Sequence, residues 1–444
     1  MNGVPINYAD LPSLSVPSQL LGEDLKSFGK GARSIIRTVP SSSGSVGPSS
    51  SMLFNLPQDS LGFIKPNSMS LTLKCTVTVT GAASSGWWFA GSNLTPTLAS
   101  TISHGSGGAS SLLSRANIQI GGQTLSYAQY NHYRNAVLPH VLSKEYFEND
   151  LRQLEYAGVI KQNTDDTADN KVVFVTLPLW LPIFNSKSAF PQLLVNSPIT
   201  IELVTTSVIE AFSCVTASIT NYTIDNASLS YESIVVPYSY KEALLASKAG
   251  KSYNMHINDW MAIGPQNMSG SARYNIGASL SSLKSILFTS QLQADQVITG
   301  IKKYTSNGLL SCSFYVNNQQ VSASGLTDDS QIYDEMQRAL GVTYDSNATS
   351  NMLSVLNVVS KGNRNTYTTH NFLAGCSTQC FNDWGFQQTG IPADQVSVEV
   401  VAGTPTDVQF QEATAVANAS LYVFLLHDSQ LSIDVVTGQC MLRK

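Results

Sequence analysis

With 444 residues and 43% hydrophobic side chains, the chain is long enough for two sizeable cores, and two β domains of about 200 residues each suit that length. Only 12% of residues are charged and the formal net charge is -5, which excludes a nucleic-acid wrapper, because neutralising phosphates needs concentrated Lys and Arg. The polar surface must be built mainly from Ser, Thr, Asn and Gln, which suits packing against other protein.

Residues 1–51 lack strand periodicity and end in a Ser-, Gly- and Pro-rich stretch from Pro40, so they read as an extended N-terminal arm. Within it, Leu21, Leu25, Phe28, Ala32 and Ile35 follow spacings of four, three, four and three, which predicts one face of a helix. Lys26, Lys30, Arg33 and Arg37 lie beside that stripe, and Glu23 and Asp24 suit the positive end of its dipole. A basic amphipathic segment of this kind fits an acidic membrane surface or the side of a neighbouring subunit. The alternative is a helix packed on its own barrel, and Gly22, Gly29 and Gly31 lower the helix propensity.

From Met69 to Val79 apolar and polar residues alternate: Met69, Leu71, Leu73, Cys75, Val77 and Val79 share one face, and Ser70, Thr72, Lys74, Thr76 and Thr78 the other. Period two over that length predicts a half-buried antiparallel strand. Further strands are predicted over 116–125, 172–181, 199–204, 229–236, 283–289, 310–321, 396–401 and 417–426. Helices are expected only as insertions, over 144–157 through Phe147, Leu151 and Leu154, and over 330–340 through Ile332, Met336 and Ala339. The apolar run 172–184 is too short to span a bilayer and is interrupted by Pro178 and Pro182.

An internal repeat organises these elements. Ile118-Gln-Ile-Gly121-Gly122-Gln-Thr-Leu125 reads as strand, two-residue turn and strand, and Phe314-Tyr-Val-Asn317-Asn318-Gln-Gln-Val321 reads the same, 317 − 121 = 196 residues later. Ile199-Thr-Ile-Glu202-Leu203 matches Val396-Ser-Val-Glu399-Val400 at 399 − 202 = 197, and Asn226-Ala-Ser-Leu229 matches Asn418-Ala-Ser-Leu421 at 418 − 226 = 192. Three landmarks in one order predict one β unit present twice, with Gly121 equivalent to Asn317, Glu202 to Glu399 and Asn226 to Asn418. The joint is expected near residues 237–251. The domains are then the arm 1–51, a first unit 52–237 and a second unit 238–444. About 200 residues and eight strands per unit is the size of a jelly roll.

No catalytic, cofactor or metal residues are assigned. Gly250-Lys251-Ser252 lacks the earlier glycine of a phosphate loop, since Leu245 stands there, and a strand is predicted to follow it. His370, Cys376 and Cys380 have loosely metal-like spacing but no second pair of ligands, and Cys75 and Cys312 read as small core residues. The six histidines are scattered with no nucleophile elbow or zinc-protease pair, so an enzyme is not expected. Asp165, Asp166 and Asp169 read as a solvated loop rather than a calcium site, and chance explains most of the Asn-x-Ser/Thr acceptors. The six cysteines are sparse and residues 2–10 carry no secretory pattern, so synthesis in a reducing compartment is expected.

The order and spacing of residues 68–80, 118–125, 127–138, Leu177-Pro-Leu-Trp180, Phe190-Pro-Gln-Leu193, 199–203, 417–426 and 431–435 resemble the double jelly-roll viral major capsid proteins. That lineage includes the tectivirus coat protein, the adenovirus hexon, and algal-virus and polinton-like capsids. The resemblance implies an all-β protein of two tandem eight-stranded jelly rolls with short helical insertions and an extended N-terminal arm. It further implies a homotrimeric, pseudo-hexagonal capsomer tiling an icosahedral shell, located in the virion after synthesis in the host cytoplasm. The partners implied are other copies, neighbouring capsomers, penton and minor capsid proteins, with no sequence-specific nucleic-acid binding and no cofactor. Leu21, Leu25, Lys26, Phe28, Lys30, Arg33, Ile35 and Arg37 are the candidate contact residues of the arm, toward the inner face, an internal membrane or another capsomer. Insertions 81–108 and 326–366 are candidates for outward loops, modest enough to argue against a tall tower. Two rivals stand beside this reading: a carbohydrate-binding adhesin using Trp87 and Trp88, for which no export or disulfide pattern is seen, and a single jelly roll with a projecting domain, which predicts unlike halves.

Overall fold

The computed structural model describes residues 32–79, 87–89, 108–141, 170–186, 188–214, 219–248, 251–268, 270–297, 303–322, 325–327, 329–342, 372–379, 389–402 and 418–444. The predicted helix over 144–157 lies outside them, as do residues 1–31 and most of both candidate outward loops.

The first half builds two antiparallel sheets. Strands β1 (Arg33–Pro40), β2 (Ser51–Leu56), β3 (Gly62–Ile64), β4 (Ser70–Val79) and β5 (Trp87–Phe89) precede the hairpin of β6 (Leu113–Ile120) and β7 (Gln123–Tyr127). Two short helices follow, α1 (Tyr130–Ala136) and α2 (Leu138–Val141). Then come β8 (Asn170–Pro178), β9 (Ile199–Thr205), α3 (Val208–Ala211), β10 (Phe212–Cys214) and β11 (Ile219–Val235). One sheet has the order β1-β11-β4-β8 and the other β2-β9-β6-β7. On β4 the predicted face is borne out: Met69, Leu71, Leu73, Cys75, Val77 and Val79 are all buried, while Thr72 opposite them is exposed. They share one core with Phe54 of β2, Ile118 of β6 and Ile201 of β9, so the two sheets bury their apolar faces against each other.

Helix α4 (Tyr238–Ser247) links to the second half, with Leu244 buried and the Tyr240 ring 6.2 Å from that of Phe63. The second half comprises β12 (Ser252–Met268), β13 (Ala272–Leu292), β14 (Leu309–Val316), β15 (Gln319–Gln320), α5 (Asp329–Leu340), β16 (Ala374–Ser377), β17 (Ile391–Ala402), β18 (Ala419–Asp434) and β19 (Cys440–Arg443). Strand β13 serves both sheets. Its first part, from Ala272, pairs with β17, and its second part, to Leu292, pairs with β18 and β16. Register shifts after Gly277, Leu280 and Leu283 mark the bend between them. The pairing orders are therefore β12-β18-β13-β16 and β13-β17-β14-β15, the same two orders as in the first half. Both units are jelly rolls. In α5, Ile332, Met336 and Ala339 are buried, as their spacing predicts.

Two of the three repeat landmarks coincide structurally. The β6–β7 and β14–β15 turns have positive φ at both central residues, 56° and 83° at Gly121 and Gly122, 50° and 63° at Asn317 and Asn318. That conformation suits the twist of a two-residue hairpin, and Gly and Asn tolerate it best. Glu202 lies opposite Asn117, and Glu399 lies opposite Ser313, with Ser313 again 313 − 117 = 196 residues on. The third landmark is corrected. Asn226 sits inside β11 at a bulge with φ 52°, whereas Asn418 precedes β18; head to head, Ile219 opposite Val79 corresponds to Ala419 opposite Leu292.

The expected arm is also shortened. Arg33–Pro40 is the edge strand of the first roll, hydrogen-bonded along β11 from Arg33↔Val235 to Pro40↔Ser228, so the roll begins well before Met52. The low-complexity stretch after it is tied down: Val46 is buried and exchanges backbone hydrogen bonds with Ile224.

The rolls share an apolar seam. Tyr133 of α1 stacks on Trp260 of β12 with centroids 4.0 Å apart and planes 5° from parallel, and Tyr127 and Phe424 close around the same indole. Strand β19 pairs with β18, and the Cys440 side chain lies where a Cβ on Gly121 would stand, at 2.7 Å. A side chain at position 121 would thus meet both the positive φ and the second roll.

Candidate functional site

The arm residues are placed only in part. Leu21, Leu25, Lys26, Phe28 and Lys30 lie outside the described residues, while Arg33, Ile35 and Arg37 are in β1 and not on a helix. In a strand these three share one side, and Ile36 on the other is 76% exposed. Arg37 does not face outward as a free cation. Its Nη2 lies 2.5 Å from Oδ2 of Asp59, which is buried and also accepts hydrogen bonds from the Ser233 hydroxyl and the Leu61 amide. The signal missed in the sequence is the β-branched content of Ile35-Ile36 and Thr38-Val39, with Val39 buried on the inner face.

The outer face of the β1-β11-β4-β8 sheet is a carpet of hydroxyls. Thr38 and Ser230 stand 3.2 Å apart across strands, and Thr72 and Thr176 3.4 Å. Ile36 and Phe174, the latter 54% exposed, rise from this face, and the Lys74 ammonium lies 5.8 Å from the Phe174 ring centroid. The charges on this face are partnered, Glu232 opposite Ile36 with Lys65 at 2.7 Å and Lys74 over the Phe174 ring, and apolar side chains standing among hydroxyls and paired charges suit contact with another protein surface.

The two equivalent glutamates anchor networks on the outer faces of the other two sheets. Glu202 accepts hydrogen bonds from Asn117 Nδ2 and Ser51 Oγ, both at 2.7 Å, which hold its carboxyl below the usual carboxylate range. Glu399 accepts the Tyr315 hydroxyl at 2.7 Å, and the Arg273 guanidinium sits 4.0 Å over the Tyr315 ring while its Nε donates to Ser397. The rolls thus present sides that match in position and differ in detail.

Cys75, Cys312 and Cys376 are buried, and burial pushes their thiols up, to about 12 for the last two; His370 and Cys380 lie outside the described residues. Among the described residues no group of His, Cys, Asp and Glu is arranged to hold a metal ion, and no helix is long and apolar enough to cross a membrane. Ser252 opens strand β12, so no helix follows Gly250-Lys251-Ser252. Asp165, Asp166 and Asp169 lie outside the described residues, and Trp87 and Trp88 pair with Cys214 and Ser213 between β5 and β10. A Ser, a His and an Asp do meet inside the second roll: Ser429 Oγ lies 3.1 Å from His427 Nδ1 and donates to Asp259 Oδ2 at 3.3 Å. The acid thus holds the hydroxyl instead of orienting the imidazole, and all three are buried, so the relay a nucleophilic serine needs is not wired.

A cavity of about 240 Å³ opens where the rolls meet, between α1 and α3 of the first and the β13–β14 connection and β18 of the second. His132 lines it, stacked on Tyr422 at 3.9 Å and hydrogen-bonded through Nδ1 to the Tyr304 hydroxyl at 3.0 Å. Burial pushes the His132 imidazole down to about 3, so it is neutral near pH 7.

Two antiparallel jelly rolls in tandem, with the same strand order and a shared seam, define a double jelly-roll protein. Solved structures similar to it include viral ones. VP54 of PBCV-1, as fitted into a reconstruction of the virophage Sputnik, superposes with a TM-score of 0.56 at 13% identity, covering 93% of this chain and 97% of that one. The structure of the Sputnik virophage gives 0.55 at 10% identity over 93% and 88%, and the Faustovirus major capsid protein 0.54 at 9% over 91% and 91%. No protein-family model matches the chain, and no curated protein matches it. At such identities the likeness is one of fold: this chain has the double jelly-roll fold of the viral major capsid proteins.

Proposed function

We propose that this chain is a viral major capsid protein whose copies associate as homotrimers, each a pseudo-hexagonal capsomer, and tile an icosahedral shell. The observation that carries this reading is the repeated strand order, with Glu202 and Glu399 at matching places on the two rolls. Three copies of two similar rolls offer six similar sides, so one sequence can pack hexagonally under threefold symmetry. The hydroxyl-rich outer sheet with Ile36 and Phe174 supports a role in protein contact. The partners are then other copies, neighbouring capsomers, and penton and minor capsid proteins, in the virion after synthesis in the host cytoplasm, with no catalytic role. The segment carrying Leu21, Leu25, Lys26, Phe28 and Lys30 enters the roll at β1 and is assigned to the inner face, an internal membrane or an adjacent capsomer. Arg33, exposed at the start of β1, goes with it, whereas Arg37 is spent on Asp59.

Light scattering of the purified protein tests the reading: a stable trimer, with hexagonal capsomers in electron micrographs of assembled material, is expected. A monomer that persists under assembly conditions overturns it.

A further inference from the structure

The junction between the rolls covers surfaces whose counterparts stand exposed at the two ends of the repeat. Counting from the matched pairs Ile219 opposite Val79 and Ala419 opposite Leu292, five residues back along β4 and β13 bring Lys74 level with Leu287. The cross-strand row Asp225-Lys74-Phe174 of the first roll is therefore the counterpart of Phe424-Leu287-Gly375 in the second. Two residues further, Ser228 opposite Thr72 matches Leu426 opposite Ser285, so Pro40 on β1 matches Trp260 on β12. In the second roll this outer face is covered. Tyr133 of α1 lies on Trp260 and edge-on to Phe424, and Ala339 of α5 comes so close to Gly375 that a Cβ there would meet it at 3.1 Å. In the first roll the same face is open: Phe174 is 54% exposed where the second roll has a buried glycine, and Ile36 on β1 is 76% exposed.

The hairpins repeat the pattern in reverse. The β6–β7 tip of the first roll is covered, because Gly121 lies against Cys440 of β19 and its carbonyl accepts the Cys440 amide. Its counterpart, Asn317 to Gln320 at the β14–β15 tip, is exposed at every residue. The strand that receives the covered tip also has a counterpart. Cys440 pairs with Ile433 as Gly62 of β3 pairs with Val235, and Ile433 and Val235 both lie seven residues past the matched Leu426 and Ser228. One end of the repeat thus presents an open receiving face and the other an open hairpin. Their chemistry is complementary: four amide side chains at the tip, and Thr38, Ser230, Thr72 and Thr176 on the face, are groups that both donate and accept hydrogen bonds. We propose that the outer face of the β1-β11-β4-β8 sheet, together with β3, receives the β14–β15 side of the second roll of another copy, repeating between chains the junction already made within one. The contact is heterologous, the hairpin of one copy on the sheet of the next, and its closure into a ring of six rolls after three copies rests on the capsid reading.

Two variants of the full chain test the proposal by analytical ultracentrifugation. The face variant carries Ile36→Glu and Phe174→Glu, and the tip variant Gln319→Glu and Gln320→Glu. All four positions are exposed, so the folds should survive, and an unchanged melting temperature checks this. Carboxylates forced into a contact without partners should raise the concentration at which the oligomer dissociates about a hundredfold or more in either variant. Mixed in equal amounts, the two variants are expected to form a one-to-one dimer, because the intact hairpin of the face variant still fits the intact sheet of the tip variant while the ring stays open. Variants that form trimers as readily as the wild type overturn the proposal and leave the capsid reading standing, as does a mixture that gives no dimer although each variant alone has lost the trimer. A wild type that remains monomeric under assembly conditions overturns the capsid reading and this contact with it.

Discussion

Asp59 is held by three donors, the Arg37 guanidinium, the Ser233 hydroxyl and the Leu61 amide, and only the first carries a charge to balance it. Gly62 packs so closely that a Cβ there would lie 2.4 Å from the carboxylate oxygen, so a side chain at position 62 would displace Asp59 from this site. Removing the guanidinium should therefore leave a buried, unpaired carboxylate. Arg37→Met is expected to lower stability by about 2 kcal/mol, less than for a fully buried pair because the Arg37 side chain is 31% exposed. The urea midpoint reads this, and adding Asp59→Asn to Arg37→Met should recover part of the loss. A midpoint unchanged by Arg37→Met would mean that the pair behaves as a screened surface contact.

At the scale of elements, β1 decides how the N-terminus can be cut. Its eight residues pair with β11 along its outer edge, and Val39 reaches the core. Deleting residues 1–31 leaves every described strand intact, so trimers should form while shell assembly or membrane association fails. Deletion through Pro40 strips an edge strand from the first roll and exposes β11, a pairing edge prone to aggregation. Size-exclusion profiles and electron micrographs of the two deletions separate these outcomes. Normal shells from the shorter deletion would remove the arm from assembly.

At the scale of the whole molecule, the two rolls are not independent bodies in energetic terms. The apolar cluster of the first roll continues through Trp260, Tyr422, Phe424 and Leu431 of the second, and β19 lies against the β6–β7 turn. A seam of that kind predicts a single cooperative unfolding transition for the wild type. Trp260→Ala removes the ring sandwiched by Tyr133, at a cost of about 3–5 kcal/mol, and should split the calorimetric trace in two. One sharp transition in that variant would show that the rolls are coupled elsewhere.

The sequence by itself determined what is local or periodic. The alternation of residues 69–79 specified a strand and its buried face, because side chains on a strand repeat every two residues. Gly121-Gly122 and Asn317-Asn318 specified two hairpins, because few residues accept positive φ twice running, and their spacing together with that of Glu202 and Glu399 pointed to one unit present twice. Tertiary structure decided the rest. The end of the predicted helix, from Arg33 to Arg37, became a strand because β11 offered an open edge some 200 residues away, and pairing outweighs a weak local propensity weakened further by glycine. Asn226 and Asn418 share a tetrapeptide and not a position, since a bulge displaces one inside its strand. The cavity joins Asn131 and Glu210 to Tyr304 and Tyr422 across two rolls, and no spacing along the chain encodes such a meeting. Only the packing of one barrel on the other brings those side chains to one place.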